Sequence, residues 1–210
     1  MDLDEIMVWT RAERLGLAEF LDDLDEHEWL ADSLCPGWTV HDVLAHVTLS
    51  NRVTFWPTVA GVIRALGNWN RMTERMARDR AARYTPAELI AQLREGAGSA
   101  RRAPGAGPLD PLVDTMIHGQ DIARPLGRGR AMPTEQAVVA LEHVLRSPFY
   151  GAEKRVHGVR LISTDADWST GAGTEEIRGP LSDLLLMATG RTAGLDGVTG
   201  TGVQRVANRL

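Results

Sequence analysis

The chain has 210 residues, 43% hydrophobic and 24% charged, with a net charge of −5 and a pI near 5.7. That is enough apolar material for one or two cored domains, and the acidic balance provides no field for gripping nucleic acid. One cysteine, Cys35, cannot close an internal disulfide, the acidic start Met1-Asp2-Leu3-Asp4-Glu5 is unlike a secretory leader, and no apolar run approaches a membrane span, so the expectation is a cytoplasmic protein.

A first helix is expected from about Leu3 to Asp25, where Ile6, Trp9, Glu13, Leu17, Phe20, Leu21 and Leu24 recur at helical spacing. Pro36 and Gly37 punctuate the stretch after it, and Thr39 is a suitable cap for a second helix with the stripe Val40, Val43, Leu44 and Val47. Pro57 should start a new segment, helical to about Leu66 and stopped by Gly67. An arginine-rich helix is expected over Asn70 to Arg83. Thr85-Pro86-Ala87-Glu88 is a capping box with proline at the first helical position, opening a helix to about Gly96. Asp110-Pro111 starts another, ending near Leu126-Gly127, and Pro133-Thr134-Glu135 opens one more to about Ser147.

The texture changes after Phe149-Tyr150-Gly151. Gly158 to Thr164 alternates as a strand does, Asp165 to Asp167 reads as a turn, and Trp168 to Thr170 and Glu175 to Arg178 are short strand candidates. Gly179-Pro180 opens an apolar helix through Leu181, Leu184, Leu185 and Ala188, stopped by Gly190, and Val203 to Arg209 is a last helix. The fold class is therefore mainly α: a helical bundle over 1–150, then a small α/β domain over 151–210.

Three residues on two of these helices could hold a metal. His46 lies on the second helix, and Asp114 and His118 are four apart on the helix opened by Asp110, so both project from one face. Imidazole with carboxylate suits zinc and other borderline divalent ions, and three protein ligands leave a position open for water or substrate. The same residues also suit a plainer reading, because Asp114, His118 and Asp121 form a polar stripe that could simply face solvent.

The segment Leu34-Cys35-Pro36-Gly37-Trp38-Thr39-Val40-His41-Asp42-Val43-Leu44-Ala45-His46 resembles the Gly-Trp-Thr turn and ligand-histidine helix of the mycothiol-dependent maleylpyruvate isomerase-like family. The segment Asp114 to Gly127 is similar to that family's second signature, and Val159 to Thr164, Trp168-Ser169, Arg178-Gly179-Pro180 and Gly190-Arg191 resemble its second domain. The resemblance implies a DinB-like four-helix bundle with a divalent metal at His46, Asp114 and His118, zinc ahead of nickel, manganese or iron. It implies mycothiol as cofactor, a small electrophilic substrate, and isomerase or S-transferase chemistry in which a metal-held thiolate is the nucleophile. Asp121 could orient a ligand histidine from behind, or it could be a surface residue or pair with Arg124. This chain departs from the family in having Asp114 where the namesake usually has Glu. Among the 23 basic residues only Lys154 is lysine, a bias associated with GC-rich coding and consistent with the actinobacterial source of mycothiol.

Two other readings stay open: a non-catalytic module binding a metal or small ligand, and a metal-dependent hydrolase. A monomer or homodimer is expected, with neither nucleic acid nor membrane as partner. Cys35 precedes a helix start, which can lower a thiol's pKa, but is read as buried and inert. His41 is expected exposed, and Trp38, Trp56, Trp69 and Trp168 as core or cleft walls.

Overall fold

The structure is a computed structural model that describes residues 1–49, 52, 69–103 and 105–210. The expected helix from Thr54 to Leu66, with Pro57 and Gly67, lies outside the described residues, as do Trp56 and the side chain of Trp69. The described helices are α1 (Leu3–Asp22), α2 (Glu26–Leu30), α3 (Val40–Val47), α4 (Trp69–Ala81), α5 (Pro86–Glu95), α6 (Asp110–Ala123), α7 (Thr134–Arg146), α8 (Ala152–Val156), α9 (Leu181–Ala188) and α10 (Val203–Ala207). The described strands are β1 (Val159–Ser163), β2 (Ser169–Thr170) and β3 (Glu175–Gly179). The chain is thus mostly helical with a small sheet, as the patterning indicates. No helix among the described residues is long and apolar enough to cross a membrane.

The chain divides into two compact units, Met1–Arg130 and Ala131–Leu210. The division falls before α7, a helix that the sequence reading counts with the bundle but that packs on α9 in the second unit.

In the first unit, α1 packs on α5 and α6, and α3 packs on α4, α5 and α6. Their shared core is Leu17, Leu21, Val40, Val43, Leu44, Val47, Leu89, Leu93 and Ile122 with their neighbours. Burying such side chains contributes about 1.5–3 kcal/mol each before entropy is counted. Local signals start the helices where expected. Thr39 and Asp42 form a capping box on α3, and Thr85 and Glu88 form one on α5. The short α2, absent from the sequence reading, also has one, between Asp25 and Glu28.

Charges also lie inside this unit. The Arg14 side chain on α1 is fully buried, and its Nη1 donates to the carbonyls of Gly96, Ala97 and Ser99 at the end of α5. Glu13 pairs with Arg130 at 2.7 Å, both almost wholly buried.

In the second unit, β1 pairs antiparallel with β2 and parallel with β3, in the order β2-β1-β3. Leu161 and Ile177 pair across β1 and β3 on the buried side, and α9 packs against β1. The β2–β3 connection runs close to the start of β1. A Cβ on Gly173 would lie 2.0 Å from the Gly158 carbonyl oxygen, so only glycine fits.

Candidate metal centre

His46 is delivered by α3. The Thr39 hydroxyl accepts from the Asp42 amide while the Asp42 carboxylate accepts from the Thr39 amide, which fixes the first turn. Val40, Val43, Leu44 and Val47 are buried on the core side, and His46 stands half-buried beside them. The Trp38 ring meets it edge-on, centroids 5.3 Å apart.

Asp114 and His118 are delivered by α6, whose other residues from Pro111 to Ala123 are buried. The helix starts with Pro111 at its first turn, and the Asp110 carboxylate accepts from the Gly107 amide at 2.6 Å. Asp114 and His118 lie one turn apart at the edge of the buried surface, where α3 crosses α6.

The three residues converge. Asp114 Oδ1 lies 3.6 Å from His46 Nε2 and 3.4 Å from His118 Nε2, and the two imidazole centroids are 4.7 Å apart. These separations exceed the 2.7–3.2 Å of ordinary N–H···O bonds. They match the edges of a tetrahedron whose centre is bonded to nitrogen and oxygen at about 2.0–2.2 Å, edges of about 3.3–3.6 Å. The donor set and its spacing therefore fit a divalent ion, and His46, Asp114 and His118 form one of two groups among the described residues able to hold one. The shorter arm of Asp114, relative to Glu, still reaches both nitrogens.

Behind His118 the surroundings are dry. Its Nδ1 donates to Asp121 Oδ2 at 2.8 Å, and the Asp121 side chain has no solvent exposure. The solvated-stripe reading therefore fails at Asp121, which the loop before α3 covers. The Leu34 amide donates to the Asp121 carbonyl at 3.0 Å, and Cys35 Sγ donates to Asp121 Oδ2 at 3.2 Å. His46 is held differently, since its buried Nδ1 has no hydrogen-bond partner among the described residues.

Charge follows this geometry. Burial pushes the Asp114 carboxyl up, but the charges of the adjacent His118 and His46 imidazoles outweigh it and hold Asp114 well below its usual range. Burial likewise opposes a charged His118, but the charge of Asp114, together with hydrogen bonds to Asp121 and Cys35, holds it well above its ordinary value. Two nitrogens facing one carboxylate oxygen call for a cation between them, a proton or a metal.

Cys35, read from the sequence as buried and inert, is half-buried and contacts both Asp121 and His118 Nδ1, the latter at 3.8 Å. Cys35, His118 and Asp121 form the second metal-capable group. His41, expected exposed, is half-buried, and its Nε2 lies 3.0 Å from the Tyr84 carbonyl oxygen. The sequence reading also missed the support at Gly119. A Cβ there would meet the Arg130 guanidinium at 2.8–3.1 Å, so the arginine paired to Glu13 occupies the space of the missing side chain, next to His118. A glycine inside a helix was the available signal, since it costs about 1 kcal/mol relative to Ala unless packing needs it.

A family model described as the mycothiol maleylpyruvate isomerase N-terminal domain matches residues 10–135. The crystal structure of the mycothiol-dependent maleylpyruvate isomerase is similar over 96% of this chain and 93% of that one, with a TM-score of 0.62 and 17% identity. That of its mutant with a histidine replaced by alanine is similar over the same shares, with a TM-score of 0.60 and 16% identity. At such identities the likeness is one of fold. No curated protein matches the chain.

Proposed function

The chain belongs to the family of the mycothiol maleylpyruvate isomerase N-terminal domain, and from that premise we propose that it is a metal-dependent, mycothiol-using isomerase or S-transferase acting on a small electrophilic substrate. His46, Asp114 and His118 hold the metal, with zinc ahead of nickel, manganese or iron. The observation that carries this reading is the spacing of 3.4 and 3.6 Å around Asp114 Oδ1, too long for hydrogen bonds and suited to the edges of a coordination tetrahedron. When bound, a divalent ion supplies Lewis acidity and favours the deprotonated form of a coordinating thiol.

The chain's own residues do the rest by positioning. Asp121 accepts a hydrogen bond from the Nδ1–H of His118, which fixes the tautomer and leaves Nε2 as the donor on the metal side. Trp38 walls His46 on one side. Three protein ligands leave a position for the thiol. In an isomerase the thiol sulfur adds to one carbon of a substrate double bond, the remaining single bond rotates, and the thiol leaves unchanged. In a transferase the adduct is the product. The helical domain carries the metal, the C-terminal α/β domain completes the enzyme, and the protein acts in the cytoplasm as a monomer or homodimer, without nucleic-acid or membrane partners.

Elemental mass spectrometry of untagged protein purified without chelators tests this reading. Wild type is expected to carry about one divalent ion per chain and His118→Ala none, with the folded far-ultraviolet spectrum kept. Addition of mycothiol should then perturb the spectrum of cobalt-loaded wild type. A wild type that refuses every added divalent ion while folded would contradict the reading and favour a metal-free binding module.

A further inference from the structure

Asp121 has a single oxygen, Oδ2, facing two donors. His118 Nδ1 donates to it at 2.8 Å and Cys35 Sγ at 3.2 Å. The carboxylate is fully buried, so no water competes for that oxygen and both bonds act in a low-dielectric surrounding. Cys35 is not free to drift from it. The adjacent Leu34 amide is tied to the Asp121 carbonyl, and the Cys35 amide to the Ser33 hydroxyl at 3.1 Å. Ser33 in turn donates to the Trp38 carbonyl at 2.9 Å, and Gly37 takes the left-handed turn, φ +76°, that brings the loop back toward α3. The loop that leads into the His46 helix therefore places a thiol on the carboxylate that holds His118.

Two donors on one oxygen share its electron density. A carboxylate behind a ligand histidine makes the imidazole a better donor to its metal, and a second proton donor on that carboxylate weakens the effect. We propose that Cys35 is a positioning residue that sets, through Asp121, the strength of the Asp121–His118 hydrogen bond and hence the affinity of the His46–Asp114–His118 centre. The metal half of this statement rests on the reading above; the hydrogen-bond half does not. Cys35 acts as a protonated donor here, neither a ligand nor a nucleophile.

The sign separates this role from simple packing. Cys35→Ala removes the competing donor, so Asp121 bonds His118 more fully and the centre binds zinc more tightly, by about threefold to tenfold against the 10–100-fold typical when such a carboxylate is itself lost. Cys35→Ser keeps a donor and stays near the wild-type affinity. A merely structural cysteine would weaken binding in both variants.

The experiment uses the full-length protein, wild type and the two variants, with thermal melting as the check on folding. In the metal-free proteins the His118 Nδ1–H proton resonance is followed by NMR. It is expected to move downfield in Cys35→Ala and to stay near wild type in Cys35→Ser. Competitive zinc titration then reads the affinities, and cobalt-loaded wild type is expected to lack a thiolate-to-metal charge-transfer band. An unmoved resonance in Cys35→Ala would overturn the proposal even where wild type binds zinc. A weaker zinc affinity in Cys35→Ala would also overturn it, and a thiolate band in the cobalt protein would overturn it by assigning Cys35 as a ligand. If wild type takes no ion, the metal reading fails on its own, and the resonance still decides whether Cys35 acts on Asp121.

Discussion

The two imidazoles of the centre are built differently. His118 sits on α6 with its rear nitrogen bonded to a fully buried carboxylate that is itself bonded to the loop before α3. His46 sits on α3 with its buried rear nitrogen unpartnered among the described residues and the Trp38 ring edge-on to it. One imidazole is thus fixed in tautomer and direction, while no hydrogen bond among the described residues holds the other from behind. Under the proposed metal-binding function, the ordered half would give the site its geometry and the looser half would settle onto the ion. Pre-organising a ligand in this way matters because outer hydrogen bonds fix ring orientation and raise ligand basicity.

The comparison breaks most directly at Asp121. Asp121→Asn keeps the shape of the carboxylate but removes its charge, so His118 loses its strong acceptor. Metal affinity is expected to fall about 10–100-fold, read by competitive chelator titration. An unchanged affinity would make the two histidines equivalent after all. A smaller effect is expected at Gly119, where the Arg130 guanidinium leaves no room for a methyl group. Gly119→Ala should destabilise the protein by about 1–3 kcal/mol through overpacking, read by denaturant unfolding, and should disturb His118 more than His46 in the NMR spectrum.

The smallest effect is in pH. Asp114 is held below its ordinary value of 3.8 and His118 above its ordinary value of 6.5. A lowered carboxyl contributes stability above its unfolded value, and a raised imidazole contributes stability below its own. Their attraction therefore stabilises the metal-free protein fully between pH 3.8 and 6.5. It is lost as the pH falls through the lowered Asp114 value, or rises through the raised His118 value. Metal displaces the proton on His118 Nε2, so affinity should weaken on acidification, and the alkaline loss should vanish in the loaded protein. Calorimetric scans of both forms across this range check the sign.

Much of this centre was legible in the sequence for a local reason. Asp114 and His118 are four residues apart on a well-signalled helix, and Thr39 announces the start of the helix that holds His46. The wheel placed Asp121 on the same stripe but left open whether that stripe faced water, because a helix pattern does not say what covers it. The cover comes from Leu34 and Cys35, 86 residues before Asp121 in the case of Cys35, and no periodicity spans such a gap. Glu13 fell into the buried stripe of α1 by spacing, but its partner Arg130 is remote in the chain. The helix α2 has only five residues, too few to give a period. The strands of the second unit were visible from their alternation, whereas the packing of α7 on α9 was not, because a helix's neighbours are not written in its own sequence.

The central claim is that one ion sits between the fixed and the looser imidazole, and anomalous diffraction from crystals of zinc-loaded protein tests it most directly. The account predicts a single strong peak within about 2.0–2.2 Å of His46 Nε2, an Asp114 oxygen and His118 Nε2, with His118 Nδ1 still on Asp121. A peak on the other side of His118, bonded to Cys35 Sγ and Asp121, would contradict it.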